Sequence, residues 1–410
     1  MKILTQHGQG IQKLYNRHLS QKRRHIDEKV RRIIEDIRLD GDDALIKYTR
    51  KFDKVKLTPR QLKVAESEIS GAFQNITSDF ISSLKVIMNN VTLFYKKQIT
   101  KGCRVRDDDG VLLKEHILPL ETVGIYIPAG TAPLISTVYM TAIPAIVAGV
   151  KRIVITTPPD RQGQVNPYIL AVANLLKVNE IYKVGGAQAV AAMAFGTKTI
   201  PRVDKIIGPG NMFVTEAKRQ LFGYVDIDML AGPTELVIIA NRYSNPAYVI
   251  ADLEAQNEHV GGLAVLVTTS KQLMRQVRKK VMNGYIIYAK NIDEAVNIVN
   301  RIAPEHLQIL TNKPENVAKK IRNAAAIFLG PYSPTALGDY AAGPSHALPT
   351  LGTARFFSGL CLSDFLKRSH VISYSKKALE RMREPIEKVA KLEGLTKHYE
   401  SVNIRFQPPN

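Results

Sequence analysis

The chain is poor in cysteine. Only Cys103 and Cys361 occur in 410 residues, far apart and outside any CxxC pair. That excludes a thiolate zinc knot, a dithiol redox motif and a disulfide scaffold, and it fits a reducing compartment. The amino terminus lacks the apolar core and small-residue cleavage site of a signal peptide, so a cytoplasmic location is expected. Val123 to Val150 carries no charged side chain, but Pro128, Pro133, Pro144, Gly124 and Gly130 interrupt it. It reads as a buried strand, a loop and a buried helix, and no membrane partner is expected. The dinucleotide fingerprint GxGxxG is missing too: after Gly208-Pro209-Gly210, Phe213 stands where the third glycine would be. There is no run of five basic residues and no RNP-like or zinc-finger spacing, although 57 basic against 37 acidic residues give a net charge of +20. The positive excess gathers in residues 1–60 and 271–280, whereas 221–260 holds one basic and six acidic side chains. Such charge is read as solvated surface, with no nucleic-acid partner.

What is present is periodicity. The first hundred residues read as helices. Thr58-Pro59-Arg60-Gln61 is a capping sequence, and Phe80, Leu84, Ile87, Val91 and Phe94 share one helical face, as do Val30, Ile33, Ile34 and Ile37. From 123 onward, short β-branched runs alternate with helical patterns. The expected strands are Val123–Ile127, Arg152–Thr156, Glu180–Val184, Lys205–Ile207, Leu236–Ala240, Ala264–Val267, Leu307–Leu310 and Ala325–Leu329. This is an α/β chain with parallel sheets covered on both faces and enough strands for two Rossmann-like domains, with helical extensions at both termini. In such sheets ligands bind at the carboxyl ends of strands. Glycine-rich junctions follow several of them: Ile127-Pro128-Ala129-Gly130, Val184-Gly185-Gly186-Ala187-Gln188, Gly208-Pro209-Gly210-Asn211 and Ala231-Gly232-Pro233-Thr234-Glu235. Each fits a tight turn as well as a cofactor loop.

Four places hold candidate metal or acid–base groups. Gln256 and His259 are neighbours on a helical face and make half of a zinc or manganese site. Glu305 and His306 set a carboxylate beside an imidazole that titrates near neutrality, which suits proton transfer. Asp339 and His346 lie in a small-residue stretch, and Glu393 and His398 flank Gly394 near the carboxyl terminus. Taken singly, each also fits an ordinary helix end, turn or loop.

Taken together they fall into an ordered set. Val123-Gly124-Ile125-Tyr126-Ile127-Pro128, Gly185-Gly186-Ala187-Gln188-Ala189, Gly208-Pro209-Gly210-Asn211, Thr215-Glu216-Ala217-Lys218-Arg219, Ala231-Gly232-Pro233, Pro304-Glu305-His306-Leu307 and His346-Ala347-Leu348-Pro349-Thr350 occur in one order. From Asp40-Gly41-Asp42 to His398 the chain closely resembles the histidinol dehydrogenase family. The resemblance implies a zinc-dependent homodimer that uses NAD twice to oxidise L-histidinol through the aldehyde to L-histidine. It implies Gln256, His259, Asp339 and His398 as zinc ligands, the last supplied across the dimer. It implies Glu305 and His306 as the catalytic acid–base pair, and Tyr126, Gln188 and Asn211 as NAD contacts. Thr234, His346 and Glu393 would touch substrate beside His306 and the zinc ligands. The implied domains are a short segment 1–19, a larger α/β domain of 20–125 with 234–360 bearing the metal and acid–base residues, an NAD-binding domain 126–233, and a helical dimerisation segment 361–410. The chain departs from the family pattern at Ala129, where glycine is usual, at Thr234 for serine, at Val260 for aspartate, and in a shortened stretch between Val281 and Ile286.

Overall fold

The computed structural model describes residues 1–5, 8–17, 24–129 and 133–408; Gly130 lies outside them. The chain divides into two compact units, residues 1–98 with 120–365 and residues 99–119 with 366–410. Among the described residues no helix is long and apolar enough to cross a membrane.

The first unit contains two all-parallel sheets. One runs in the order Lys2–Leu4, Tyr285–Tyr288, Leu263–Thr268, Glu235–Ala240, His306–Leu310, Ala326–Leu329. The other runs Ile181–Lys183, Arg152–Thr157, Thr122–Tyr126, Lys205–Ile207, Asp226–Ile227. Central strands are buried on both faces: every residue of Glu235–Ala240 and His306–Leu310 is buried, the polar Glu235, His306 and Gln308 among them. The crossover helices start where the sequence offers a short polar cap. Asn166, Asn211, Asn245 and Asn291 each accept backbone N–H groups of the first turn with their side chains. The uncharged stretch from 123 resolves into strand Thr122–Tyr126 and helix Ile135–Ala148, which ends on Gly149 at φ 90°. At the amino-terminal side, helix Arg24–Asp40 buries Val30, Ile33 and Ile37 against helices Gly186–Phe195 and Met212–Leu221. Each such buried side chain contributes about 1.5–3 kcal/mol. The capping sequence at Thr58 is formed, the Thr58 N–H donating to Gln61 Oε1 at 3.0 Å, but its helix is a single turn. In helix Ser78–Lys96, Leu84 and Val91 are buried as expected; Tyr95 joins them in place of the exposed Phe94.

The second unit is built on an antiparallel sheet in the order Leu366–Ser373, Leu112–Pro119, Arg104–Arg106. Helix returns from Lys376, as expected, in Lys376–Leu392 and Thr396–Asn403. The preceding strand is not announced by the sequence: LKRSHVIS is exposed along nearly its whole length and has no apolar alternation to betray it.

Candidate active site

In the six-stranded sheet the polar residues collect at the amino ends of strands. Glu235 opens one strand and His306 opens the next, each paired in register with the other's neighbourhood: His306 lies opposite Leu236. The Glu235 backbone holds both candidate proton carriers. Its N–H donates to Glu305 Oε2 at 2.7 Å, and its carbonyl oxygen lies 3.2 Å from His306 Nδ1. A carbonyl only accepts, so Nδ1 carries the hydrogen and Nε2 faces the other way, 3.5 Å from Asp339 Oδ1. Glu305 Oε2 is 3.5 Å from Nδ1, and the Phe328 ring stacks obliquely on the imidazole. Glu305 and His306 are both buried. Burial by itself pulls the imidazole down; Glu305 and Asp339 outweigh it and push His306 up to about 10. Burial would raise Asp339, yet His306, then His346 and His259, bring its carboxyl below the ordinary range. These three imidazoles therefore share one electrostatic neighbourhood with Asp339.

His306 also lines a cavity of about 630 Å³, together with Phe328, Gly338, Ser345, His346 and Cys361. His346 Nε2 is 3.0 Å from Ser136 Oγ, and desolvation holds this imidazole below its ordinary value. Tyr95 braces the loop beneath: its hydroxyl donates to the Leu360 carbonyl at 2.8 Å and accepts the Ser345 N–H at 3.1 Å. Thr234 directly precedes Glu235, its carbonyl accepting the Leu263 N–H at 2.9 Å.

Gln256 ends helix Pro246–Gln256 and His259 follows in a tight turn, both just before strand Leu263–Thr268. The Gly262 N–H donates to the His259 carbonyl at 2.9 Å. A Cβ at Gly262 would press on the carbonyl oxygens of Gln256 and His259, both at 3.0 Å, so a larger residue would have to shift the turn. The Gln256 side chain is buried, and its Nε2 has no hydrogen-bond partner among the described residues. The His259 imidazole acts on the Asp339 carboxylate, and an imidazole, a carboxylate and the Gln256 amide oxygen are donor types that fit a borderline cation such as zinc. Among the described residues no three His, Cys, Asp or Glu side chains surround a single point. That follows from the set itself: within the first unit it has one imidazole, one carboxylate and an amide. His398 and Glu393 belong to the second unit, where both line a groove with Met382, Ile386 and Leu395.

In the five-stranded sheet the glycine-rich junctions enclose a second cavity, about 530 Å³, lined by Tyr126, Pro158, Gly186, Gln188 and Asn211 among others. Tyr126 ends its strand and is buried; its hydroxyl accepts the Gly186 N–H at 3.1 Å, and burial pushes it up to about 12. Gln188 lies in the first turn of helix Gly186–Phe195, and Asn211 caps the helix after it. Gly208 sits at φ 117°, where any Cβ would strike the Tyr126 carbonyl oxygen. In this sheet the glycine-rich junctions and their cavity lie at the carboxyl ends of strands, where ligands are expected. In the other sheet the candidate residues Glu235, Gln256, His259, Glu305 and His306 stand at or just before strand beginnings.

Several supporting residues escape sequence reasoning. Glu235 is held by Arg17, Nε at 2.6 Å and Nη2 at 2.5 Å, and by the Leu351 N–H at 2.9 Å. The signal was legible: a glutamate opening a wholly apolar strand must be paired. Lys218 and Asp228 form a buried ion pair that pins the Gly208 turn, Lys218 Nζ donating to the Gly208 carbonyl at 3.0 Å and Asp228 Oδ2 accepting its N–H at 2.8 Å. Ser136 and Tyr95 left no such trace.

Residues 16–406 match the family model described as histidinol dehydrogenase. A histidinol dehydrogenase of Clostridium acetobutylicum is 46% identical over 391 residues, covering 91% of this chain and 90% of that one. One from Listeria monocytogenes serovar 1/2a is 46% identical over 393 residues, covering 91% of each. The crystal structure of histidinol dehydrogenase from Elizabethkingia anophelis superposes with a TM-score of 0.93 at 38% identity, covering 99% of this chain and 98% of that one. An acetylating aldehyde dehydrogenase from Geobacillus thermoglucosidasius shares the fold at a TM-score of 0.51 and 13% identity, covering 86% of this chain and 98% of that one.

Proposed function

The chain belongs to the histidinol dehydrogenase family, and we propose that it oxidises L-histidinol to L-histidine in two NAD-dependent steps, with zinc bound by Gln256, His259 and Asp339 and by His398 of the partner subunit. The observation that carries this reading is the shared grip of Glu235 on Glu305 and His306, which sets an acid–base pair beside Asp339 and the cavity that also holds His346. When bound, zinc would hold the amino and imidazole nitrogens of the substrate, and NAD would take the hydride.

The chain's own residues do the rest. With the Asp339 carboxylate engaged by zinc, the charge that helps hold His306 protonated would be spent, and the imidazole then accepts the carbinol proton at its Nε2 as hydride leaves carbon, giving the aldehyde. Glu305 takes a proton from water as the water adds to that aldehyde. The hydrate then loses a second hydride and its remaining protons, so one histidinol, one water and two NAD+ give histidine, two NADH and three protons. The walls of the cavity keep the aldehyde from bulk water between the two steps. Tyr126, Gln188 and Asn211 position the dinucleotide, with the two helix starts available for its pyrophosphate. Thr234, His346 and Glu393 complete the substrate pocket. The exposed apolar side chains Ile372, Val389, Leu392 and Ile404 of the second unit support a homodimer that covers them. Both cysteines are free, in keeping with a cytoplasmic enzyme.

The reading is tested by supplying the purified protein with L-histidinol, NAD and zinc and following histidine formation. Turnover that a chelator abolishes and zinc restores is expected. No turnover of histidinol, or turnover indifferent to chelator, would sink the reading.

A further inference from the structure

The dinucleotide cavity contains a carboxylate that nothing in the fold requires. Asp53 lines it together with Gly186, Gln188 and Asn211. It sits at the carboxyl end of helix Asp42–Phe52, the end where a negative charge is disfavoured by the helix dipole. Its Oδ2 is sealed from solvent and has no hydrogen-bond partner among the described residues. Burial, with nothing to offset it, pushes the carboxyl up to about 6. Its nearest recognised influence is on Tyr126, whose hydroxyl it makes harder to ionise. A half-buried acid without a cation, at the wrong end of a helix, costs stability three ways. Such a group is retained for what binds it.

The same cavity holds a second unanswered acceptor. Gln188 is 1% exposed, and its Oε1 also lacks a donor among the described residues. Two buried oxygens without donors, in one cavity of about 530 Å³, call for a ligand that brings hydroxyl or amino hydrogens. The same cavity is lined by the first turn of helix Gly186–Phe195 and by Asn211, which caps helix Met212–Leu221, and such helix starts favour an anion. An anion site and hydrogen-accepting oxygens in one cavity fit a dinucleotide, pyrophosphate towards the helix starts and ribose hydroxyls towards the acid.

On the reading that the cavity takes NAD, we propose that Asp53 accepts the hydroxyl hydrogens of the adenosine ribose and, by its charge, rejects a 2′-phosphate, so that this residue selects NAD over NADP. The chemistry is that by which an acid tells the two cofactors apart in other nucleotide folds, reached here from a helix end outside the nucleotide-binding sheet.

The test is direct binding, with NADH and NADPH titrated separately into the zinc-loaded protein and read by nicotinamide fluorescence. The unaltered protein should bind NADH and bind NADPH far more weakly. Asp53→Asn should weaken NADH by about tenfold and shrink the NADH-to-NADPH preference by at least about tenfold, while Asp53→Glu keeps the preference. Thermal melting reports whether each variant is folded, and Asp53→Ser replaces the asparagine variant if that one is not. A folded Asp53→Asn or Asp53→Ser protein with the original preference would overturn the role of Asp53 while leaving the NAD reading intact. An unaltered protein that binds neither nucleotide would overturn the NAD reading itself, and the inference with it.

Discussion

At the scale of the residue, the centre of the site is one imidazole with a fixed hydrogen. The Glu235 carbonyl holds Nδ1–H of His306, which leaves Nε2 as the atom that can take and return a proton. His306→Asn and Glu305→Gln should each lower kcat by about a hundredfold or more, with NADH affinity unchanged, since neither side chain lines the dinucleotide cavity. Steady-state kinetics paired with NADH titration checks this, and a parallel loss of NADH binding would mean the variants are disordered. Asp53 gives a pH prediction of a different kind. Its folded-state pKa, about 6 against an ordinary 3.8, means that the folded chain binds this proton more tightly than the unfolded chain. The cost to stability is therefore fully present above pH 6, fades as the pH falls towards 4, and is absent below. Asp53→Asn should raise the melting temperature at pH 8 and raise it much less at pH 4; an equal increment at both would contradict the assignment. Of these residues, Glu305 and His306 were legible as a pair of reactive types. The hydrogen's position was not, because it depends on a backbone carbonyl 71 residues away in the chain.

At the scale of the element, the strand Glu235–Ala240 carries the site. It lies in the middle of its sheet and is buried throughout, and its first residue fixes Glu305, His306 and, through its side chain, Arg17 and Leu351. Arg17→Met would leave Glu235 buried without its cation, which should cost about 3–5 kcal/mol in denaturant unfolding. Adding Glu235→Gln in the same chain should recover part of that loss, since the uncompensated charge is then gone; a double variant no more stable than Arg17→Met would contradict a charge-based explanation. The long, apolar, β-branched strands were legible from their composition, and so were the helices behind asparagine caps. Several short or polar strands were not. Lys2–Leu4, Tyr285–Tyr288 and Asp226–Ile227 are two to four residues long and owe their conformation to the neighbours they pair with, and Leu366–Ser373 is exposed on a two-sided polar ribbon.

At the scale of the whole molecule, the proposal is of a site shared by two copies of the chain. Gln256, His259 and Asp339 belong to one compact unit, and Glu393 and His398 to the other. If His398 of the partner subunit completes each site, chains carrying His259→Asn and chains carrying His398→Asn should be inactive alone. After mixing and re-equilibration they should regain about a quarter of full activity, because half the dimers are mixed and half the sites in those are intact. No recovery in verified mixed dimers would place all four ligands on one chain. The net charge of +20 stands apart from this chemistry, as its positive clusters lie in residues 1–60 and 271–280 and not among the site residues. The measurement that bears most directly on the proposed activity is the yield of NADH per L-histidine formed from L-histidinol by the zinc-loaded protein. Two NADH per histidine, with no free aldehyde trapped by a carbonyl reagent, is the expected result. One NADH per histidinol consumed, with aldehyde accumulating in solution, would contradict a single site that completes both oxidations.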